Sequence, residues 1–169
     1  ANIKGVGYDP FDSKTKIDAA LSIEDITYEG KGYYNMHVAG HLDKKRALVD
    51  LMSKNRDCDL NMSLSCVLDT GMYEFAVDGN VNNVDLKAMR LSGTESKGKG
   101  RIVAFGTANI TDNAYEVDMD LRDFKWILPE ARYETAGLNA SFTGSKDIIT
   151  LSAHEGHMYI EFNASWGVD

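Results

Sequence analysis

Apolar and polar residues alternate along nearly the whole chain, most plainly at Cys58, Leu60, Met62, Leu64, Cys66 and Leu68. Their neighbours Asp57, Asp59, Asn61, Ser63 and Ser65 are polar, and only Val67 breaks the pattern. A period of two belongs to a β-strand with one dry face and one wet face. At ~3.3 Å per residue the run from Asp57 to Leu68 reaches roughly 40 Å, about twice an ordinary strand. Such strands predict a large sheet built around a trough, a barrel or a deep sandwich.

The pattern recurs in Ala19, Leu21 and Ile23, in Tyr34, Met36, Val38, Gly40 and Leu42, and in Ala47, Val49 and Leu51. Beyond the long run come Tyr73, Phe75, Val77, Gly79 and Val81, then Ile102, Ala104 and Gly106, where Val103 and Phe105 of the opposite parity are apolar too. Tyr115, Val117, Met119 and Leu121 follow, then Leu138, Ala140 and Phe142, then Ile149, Leu151 and Ala153, and last Met158, Ile160, Phe162, Ala164 and Trp166. Turn-forming residues separate the runs: Glu29 to Gly32, Asp43 to Lys45, Asp69 to Gly71, Thr111 to Asn113, Gly144 to Lys146, and Glu155 with Gly156. Connections this short join antiparallel neighbours, so the chain predicts about eleven strands in a meander of hairpins. No stretch holds a helical period over eleven residues, although Val84 to Met89 suits a single turn.

Composition adds limits. The 169 residues contain two prolines and no low-complexity stretch, which predicts one β domain over 1–169. Gly93 to Gly100 is the expected mobile loop. A net charge of −8 disfavours nucleic acid and anionic membrane surfaces. The longest apolar run, Ile102 to Phe105, is far short of the roughly 20 residues that span a bilayer as a helix, so a soluble chain is expected. It begins at Ala1 without a basic, apolar leader, as a processed export product or an excised domain would.

Reactive residues form no recognisable site. Cys58 and Cys66 share one face of one strand roughly 26 Å apart, beyond the ~7 Å a disulfide allows, and read as small core residues. Gly93-Thr94-Glu95-Ser96-Lys97-Gly98-Lys99-Gly100 approaches a phosphate-binding loop, but Gly100 stands where Ser or Thr must hold magnesium and a strand follows instead of a helix. His37 and His41 share a strand face and His154 and His157 flank a turn, without the further ligands zinc requires. Asp57 with Asp59 and Asp118 with Asp120 read as solvated acids, and no Gly-x-Ser-x-Gly elbow occurs. The expectation is a protein that is not an enzyme and takes no metal or cofactor.

An internal echo organises the chain. Asp25-Ile26-Thr27-Tyr28 with Tyr34, Val38, Leu42, Val49 and Leu51 reappears as Asp123-Phe124-Lys125-Trp126 with Tyr133, Leu138, Phe142, Ile149 and Leu151. It suggests a repeat of 21–53 in 119–153, as in folds whose units complete one another's cores.

The segment Ile17-Asp18-Ala19-Ala20-Leu21-Ser22-Ile23-Glu24-Asp25-Ile26-Thr27-Tyr28, followed by Gly32-Tyr33-Tyr34-Asn35-Met36-His37-Val38-Ala39-Gly40-His41-Leu42, resembles the repeating text of Bacteroidetes TamB-type proteins, within the TamB and AsmA-like family. Gly79-Asn80-Val81-Asn82-Asn83-Val84-Asp85-Leu86-Lys87-Ala88-Met89 resembles their element of a strand followed by aspartate-leucine-lysine-alanine-leucine. The resemblance covers about residues 2 to 166, and its motifs are largely strand pattern. It implies an internal section of a longer periplasmic protein, tethered to the inner membrane through parts outside this sequence and reaching toward a TamA-like outer-membrane barrel. The implied fold is a curved antiparallel sheet bent into a U-shaped trough, the β-taco. Its apolar interior would shelter phospholipid acyl chains or unfolded outer-membrane protein segments, with neighbouring segments of the full-length chain continuing it.

On that reading the groove lining is Met36, Val38, Leu42, Val49, Leu51, Leu60, Met62, Leu64, Phe75, Val77, Val117, Met119, Leu121, Phe142, Ile160 and Phe162. Gly40, Ala39, Gly79 and Ala140 would leave room for a tail. The same residues would equally fill a closed sandwich core. The alternatives are a secreted β-sandwich binding glycan or protein, with Tyr33 and Tyr159 facing outward and Trp166 inward, or a structural spacer without a ligand.

Overall fold

The structure, a computed structural model, describes residues 1–28, 30–69, 71–145 and 148–165. Connections reverse the chain again and again, and the described residues form one gently curved antiparallel sheet of eleven strands in strict chain order. The strands are β1 (Asn2–Val6), β2 (Lys16–Tyr28), β3 (Lys31–Asp43), β4 (Arg46–Asn55), β5 (Cys58–Leu68) and β6 (Met72–Asp85). Then come β7 (Lys97–Asn109), β8 (Ala114–Ile127), β9 (Arg132–Gly144), β10 (Ile148–Glu155) and β11 (Met158–Ser165). β1, which the alternation did not single out, is a short strand on one edge, and β11 forms the other.

Among the described residues only neighbouring strands approach one another, so the sheet does not close into a barrel. The second layer of a sandwich is also absent from the described residues, because the buried apolar residues there are only Cys58, Leu60, Met89, Ala104 and Leu121. The accessible surface is 11338 Å². A compact protein of this mass exposes about 8,300 Å², and the excess is that of a sheet with two open faces.

Two left-handed residues set which side chains meet. Asn35 (φ 52) interrupts β3 and Asp123 (φ 48) interrupts β8, and Asn and Asp tolerate this conformation better than other side-chain-bearing residues. Beyond Asn35 the parity of β3 is reversed. Tyr33, expected outward, packs against the buried cluster of Cys58, Leu60 and Met89. Tyr34, expected inward, is 37% exposed and its hydroxyl accepts a hydrogen bond from the Arg56 amide at 3.3 Å. Beyond Asp123, Phe124 and Trp126 stack with ring centroids 6.2 Å apart.

The expected mobile loop at Gly93 to Gly100 is also corrected, since Lys97 to Gly100 belong to β7. Gly98 is there for room: a Cβ on it would lie 2.0 Å from Cε3 of Trp126. The same device recurs where Phe75 lies over Gly106 and Tyr115 over Gly144, a large side chain covering the bare backbone of the next strand. The single turn expected near Val84 to Met89 is present just beyond β6. The Met89 amide donates to the Asp85 carbonyl at 2.9 Å, and the Asp85 carboxylate caps the turn by accepting from the Ala88 amide at 2.9 Å.

Candidate functional site: an apolar face crossed by two loops

Residues directly opposite in a ladder share a face, so the register converts alternation into rows. One row crosses all eleven strands as Ile3, Ala19, Gly40, Val49, Leu64, Val77, Ala104, Met119, Ala140, Ala153 and Ile160. Beside it runs a second, from Gly5 and Ile17 through Leu42, Ala47, Cys66, Phe75, Gly106, Val117, Phe142 and Leu151 to Phe162. On the other side Leu21, Val38, Leu51, Met62, Gly79, Ile102, Leu121 and Leu138 form a third, and Ile23, Met36, Ser53, Leu60 and Val81 a fourth.

Every residue named above as groove lining falls on this one face. Strands ~4.8 Å apart and rows ~6.8 Å apart make an apolar surface on the order of 1,000 Å², above the 300–600 Å² of the largest patch on an ordinary monomer. Its middle is only partly shielded, with Val49 37% and Leu64 38% exposed, and at the β11 edge Ile160 and Phe162 rise to 55% and 59%. Of the small residues expected to leave room, Gly40 meets only Ala19 at 4.0 Å and stays open, whereas Gly79 is filled by Met62, whose Cγ would lie 2.8 Å from an added Cβ. Ala39 pairs with Ala20 and Asp50 and belongs to the opposite face.

Loops cross this face at both strand ends. At one end the β6–β7 connection folds back so that Tyr33 of β3, three strands from β6, donates its hydroxyl to the Met89 carbonyl at 2.5 Å. Met89 is 8% exposed and closes over Cys58 and Leu60, with Leu51, Met62, Val81 and Val84 around them. Beneath, Ser53 is fully buried and its hydroxyl donates to the Cys58 carbonyl at 2.5 Å. Burial pushes the Cys58 thiol above its ordinary value. Burial would also raise the Asp85 carboxyl, but amide hydrogen bonds from Ala88 and Lys87 and the Lys97 ammonium at 3.3 Å outweigh it and hold the group below its ordinary value.

At the other end the β1–β2 loop is folded by its own side chains. Asp9 accepts from the Phe11 amide at 2.9 Å and Asp12 from the Lys14 amide at 2.9 Å, while buried Thr15 donates to the Asp9 carbonyl at 2.6 Å. Phe11 thereby meets Tyr73 of β6 edge-on, ring centroids 6.2 Å apart, although β6 lies four strands from β2.

The opposite face carries the charge. His41 meets Asp18 at 2.6 Å, His37 meets Ser22 at 3.0 Å, and Arg101 pairs with Asp78 at 3.2 Å. Lys54 at 2.8 Å and the Asn82 amide at 3.1 Å hold the Asp59 carboxyl below its ordinary value, and Arg122 does the same for Asp120. Among the described residues no group of three or more His, Cys, Asp or Glu gathers as a metal site. Tyr159 faces this side and donates to Glu161 at 2.6 Å, while Trp166 lies outside the described residues.

One feature of this face escaped the sequence reading. Between β3 and β7 a hollow of about 900 Å³ is floored by Leu48, Val67, Ala76 and Phe105, with Arg46 and Glu74 on its rim. Its signal was present in Val67 and Phe105, apolar residues that break the two-residue period.

No protein-family model, curated protein or solved structure matches this chain.

Proposed function

We propose that this chain is one section of an apolar β conduit that shelters phospholipid acyl chains, in a periplasmic protein of the TamB and AsmA-like kind. The observation carrying this reading is the pair of wholly apolar rows running unbroken across all eleven strands. A ligand held by burial alone needs length and continuity instead of directed hydrogen bonds, which such rows provide. A chain of about sixteen carbons with half its surface covered gains roughly 6 kcal/mol at ~0.8 kcal/mol per methylene. Unfolded outer-membrane protein segments with alternating apolar residues suit the same surface. On this reading the section works between neighbouring segments of a longer chain, tethered to the inner membrane and delivering toward a TamA-like barrel.

The test is native mass spectrometry of the gently purified protein, followed by organic extraction and vesicle-supplied phosphatidylethanolamine. Near-stoichiometric phospholipid is expected. Val38→Asp and Leu64→Asp should each lower it while circular dichroism still reports the sheet. A protein that stays free of lipid when phospholipid is offered would refute the reading, as would lipid binding indifferent to both substitutions.

A further inference from the structure

We propose, on the basis of the acyl-sheltering function above, that the β6–β7 and β1–β2 loops are rails, which hold a bound acyl chain across the strands and keep it from lying along them. Both loops cross the same strands, from opposite ends. The β6–β7 loop returns from β6 to Tyr33 of β3, and the β1–β2 loop reaches from β2 to Tyr73 of β6. Strands β3 to β6 are therefore bounded at both ends of the apolar face. Beyond β7 no connection crosses the face in this way among the described residues.

Strand β5 shows what the rails leave open. Its residues on this face are Cys58, Leu60, Met62, Leu64, Cys66 and Leu68. Cys58 and Leu60 are buried beneath Met89. At the far end Leu68 is the ladder partner of Tyr73, against which the Phe11 ring packs. Met62 to Cys66 lie between, an interval of about 17 Å at ~3.4 Å per residue. An acyl chain takes up about 15 Å, half of a bilayer's hydrocarbon core. Laid along β5 it would fill that interval and push its ester and headgroup onto Met89 or Phe11. Across the strands the rows meet no loop, and eleven strands at ~4.8 Å give roughly 48 Å.

The lattice of side chains favours the same direction. Neighbours within a row stand ~4.8 Å apart, whereas neighbouring rows stand ~6.8 Å apart. Side chains therefore close up into ridges across the strands, and the furrows between ridges run across them too. The row through Leu64 is lowered by Ala19 and Gly40 on one side and by Ala140 and Ala153 on the other. The adjoining row stays bulky with Leu21, Val38, Leu51, Met62, Ile102 and Leu121. A polymethylene chain set in the step between these rows touches both along its length.

The test uses isotope-labelled whole chain and vesicles of phosphatidylcholine bearing a nitroxide either beside the ester or at the chain end, with NMR reading which amides the nitroxide broadens. Both labels should broaden one level of the ladder, at residues 49–51, 62–66 and 75–79, and differ only in the strands they reach. A chain-end label that moves the broadening along β5 to Cys58 or to Leu68 overturns the proposal while leaving the acyl-sheltering function intact. Native mass spectrometry of the same samples separates the two ideas, because a protein free of lipid overturns that function and the rails with it. Phe11→Ala combined with Met89→Ala removes both rails. The double variant should keep its lipid but let the broadening spread to Cys58 and Leu68, and an unchanged pattern would show that the loops do not direct the chain. If the double variant fails to fold, the two labels on the wild-type protein decide.

Discussion

Met89 is the side chain through which the β6–β7 loop grips the apolar face, and Met89→Ala measures that grip. The wild-type side chain is 8% exposed, against Cys58 and Leu60. Truncation removes three heavy atoms from a site whose floor is a rigid ladder, so the space cannot collapse easily. Lost transfer and the cavity left behind together come to about 2–3 kcal/mol, at the low end for a buried methionine because only one layer lies beneath it. That energy acts on opening of the loop, since strands β3 to β6 keep their ladders when the loop lifts.

Hydrogen exchange followed by NMR reads the opening directly. The amides of Leu86, Met89, Leu91 and Ser92 are bonded within the loop, to the carbonyls of Ser96, Asp85, Leu86 and Leu86 at 2.8–3.1 Å. They should exchange roughly 30- to 150-fold faster in the variant at 1.4 kcal/mol per decade, with the amides of β8 and β9 unchanged. Tyr33→Phe loses one hydrogen bond and should accelerate the same amides by roughly 2- to 10-fold. Unaltered exchange in the loop would refute the grip, and equal acceleration across the sheet would show that the loop does not open separately.

Three further expectations follow from the glycine, the left-handed residue and the capping acid. Gly98→Ala drives a Cβ to 2.0 Å from the Trp126 ring and should cost about 2 kcal/mol or more in urea unfolding, partly recovered with Trp126→Leu. Wild-type stability in the single variant would show that the ring has room to move. Asn35→Val places a β-branched residue at φ 52 and should cost about 1–2 kcal/mol, while Asn35→Gly should be neutral or stabilising. Equal stabilities would mean that the conformation is not strained. The Asp85 carboxyl is held below the ordinary aspartate value by its amide hydrogen bonds and Lys97, so its contribution is complete above that ordinary value and is lost as pH falls through the depressed one. Protection of the loop amides should decline in that acid window, and Asp85→Asn should flatten the profile. A profile unchanged by the substitution would place the acid sensitivity elsewhere.

Parity made the sheet and the membership of its apolar face legible in the sequence, because each strand either keeps its period or visibly breaks it. Turn chemistry then supplied the neighbours. What stayed hidden depended on contacts far apart in sequence or on single torsions. Asn35 reads as an ordinary polar residue of a strand, yet its left-handed backbone exchanges the roles of Tyr33 and Tyr34. Gly98 reads as flexibility because the ring that requires it, Trp126, lies on the next strand, and Gly100 because its φ of 146° and the Phe124 backbone close beside it leave no local trace. Nothing local to Met89 announces that its loop returns across three strands to Tyr33, and the hollow floored by Phe105 needed several period breaks to be assembled across the ladder.

The strict chain order of the strands also governs how the molecule is made. Each strand needs only the one before it, so no segment must wait for a distant partner, and ordering can advance hairpin by hairpin behind a synthesising or translocating machine. The same locality sets how such a chain changes length. Each hairpin gained or lost lengthens or shortens the apolar rows by two strands and returns the chain to the side from which it came.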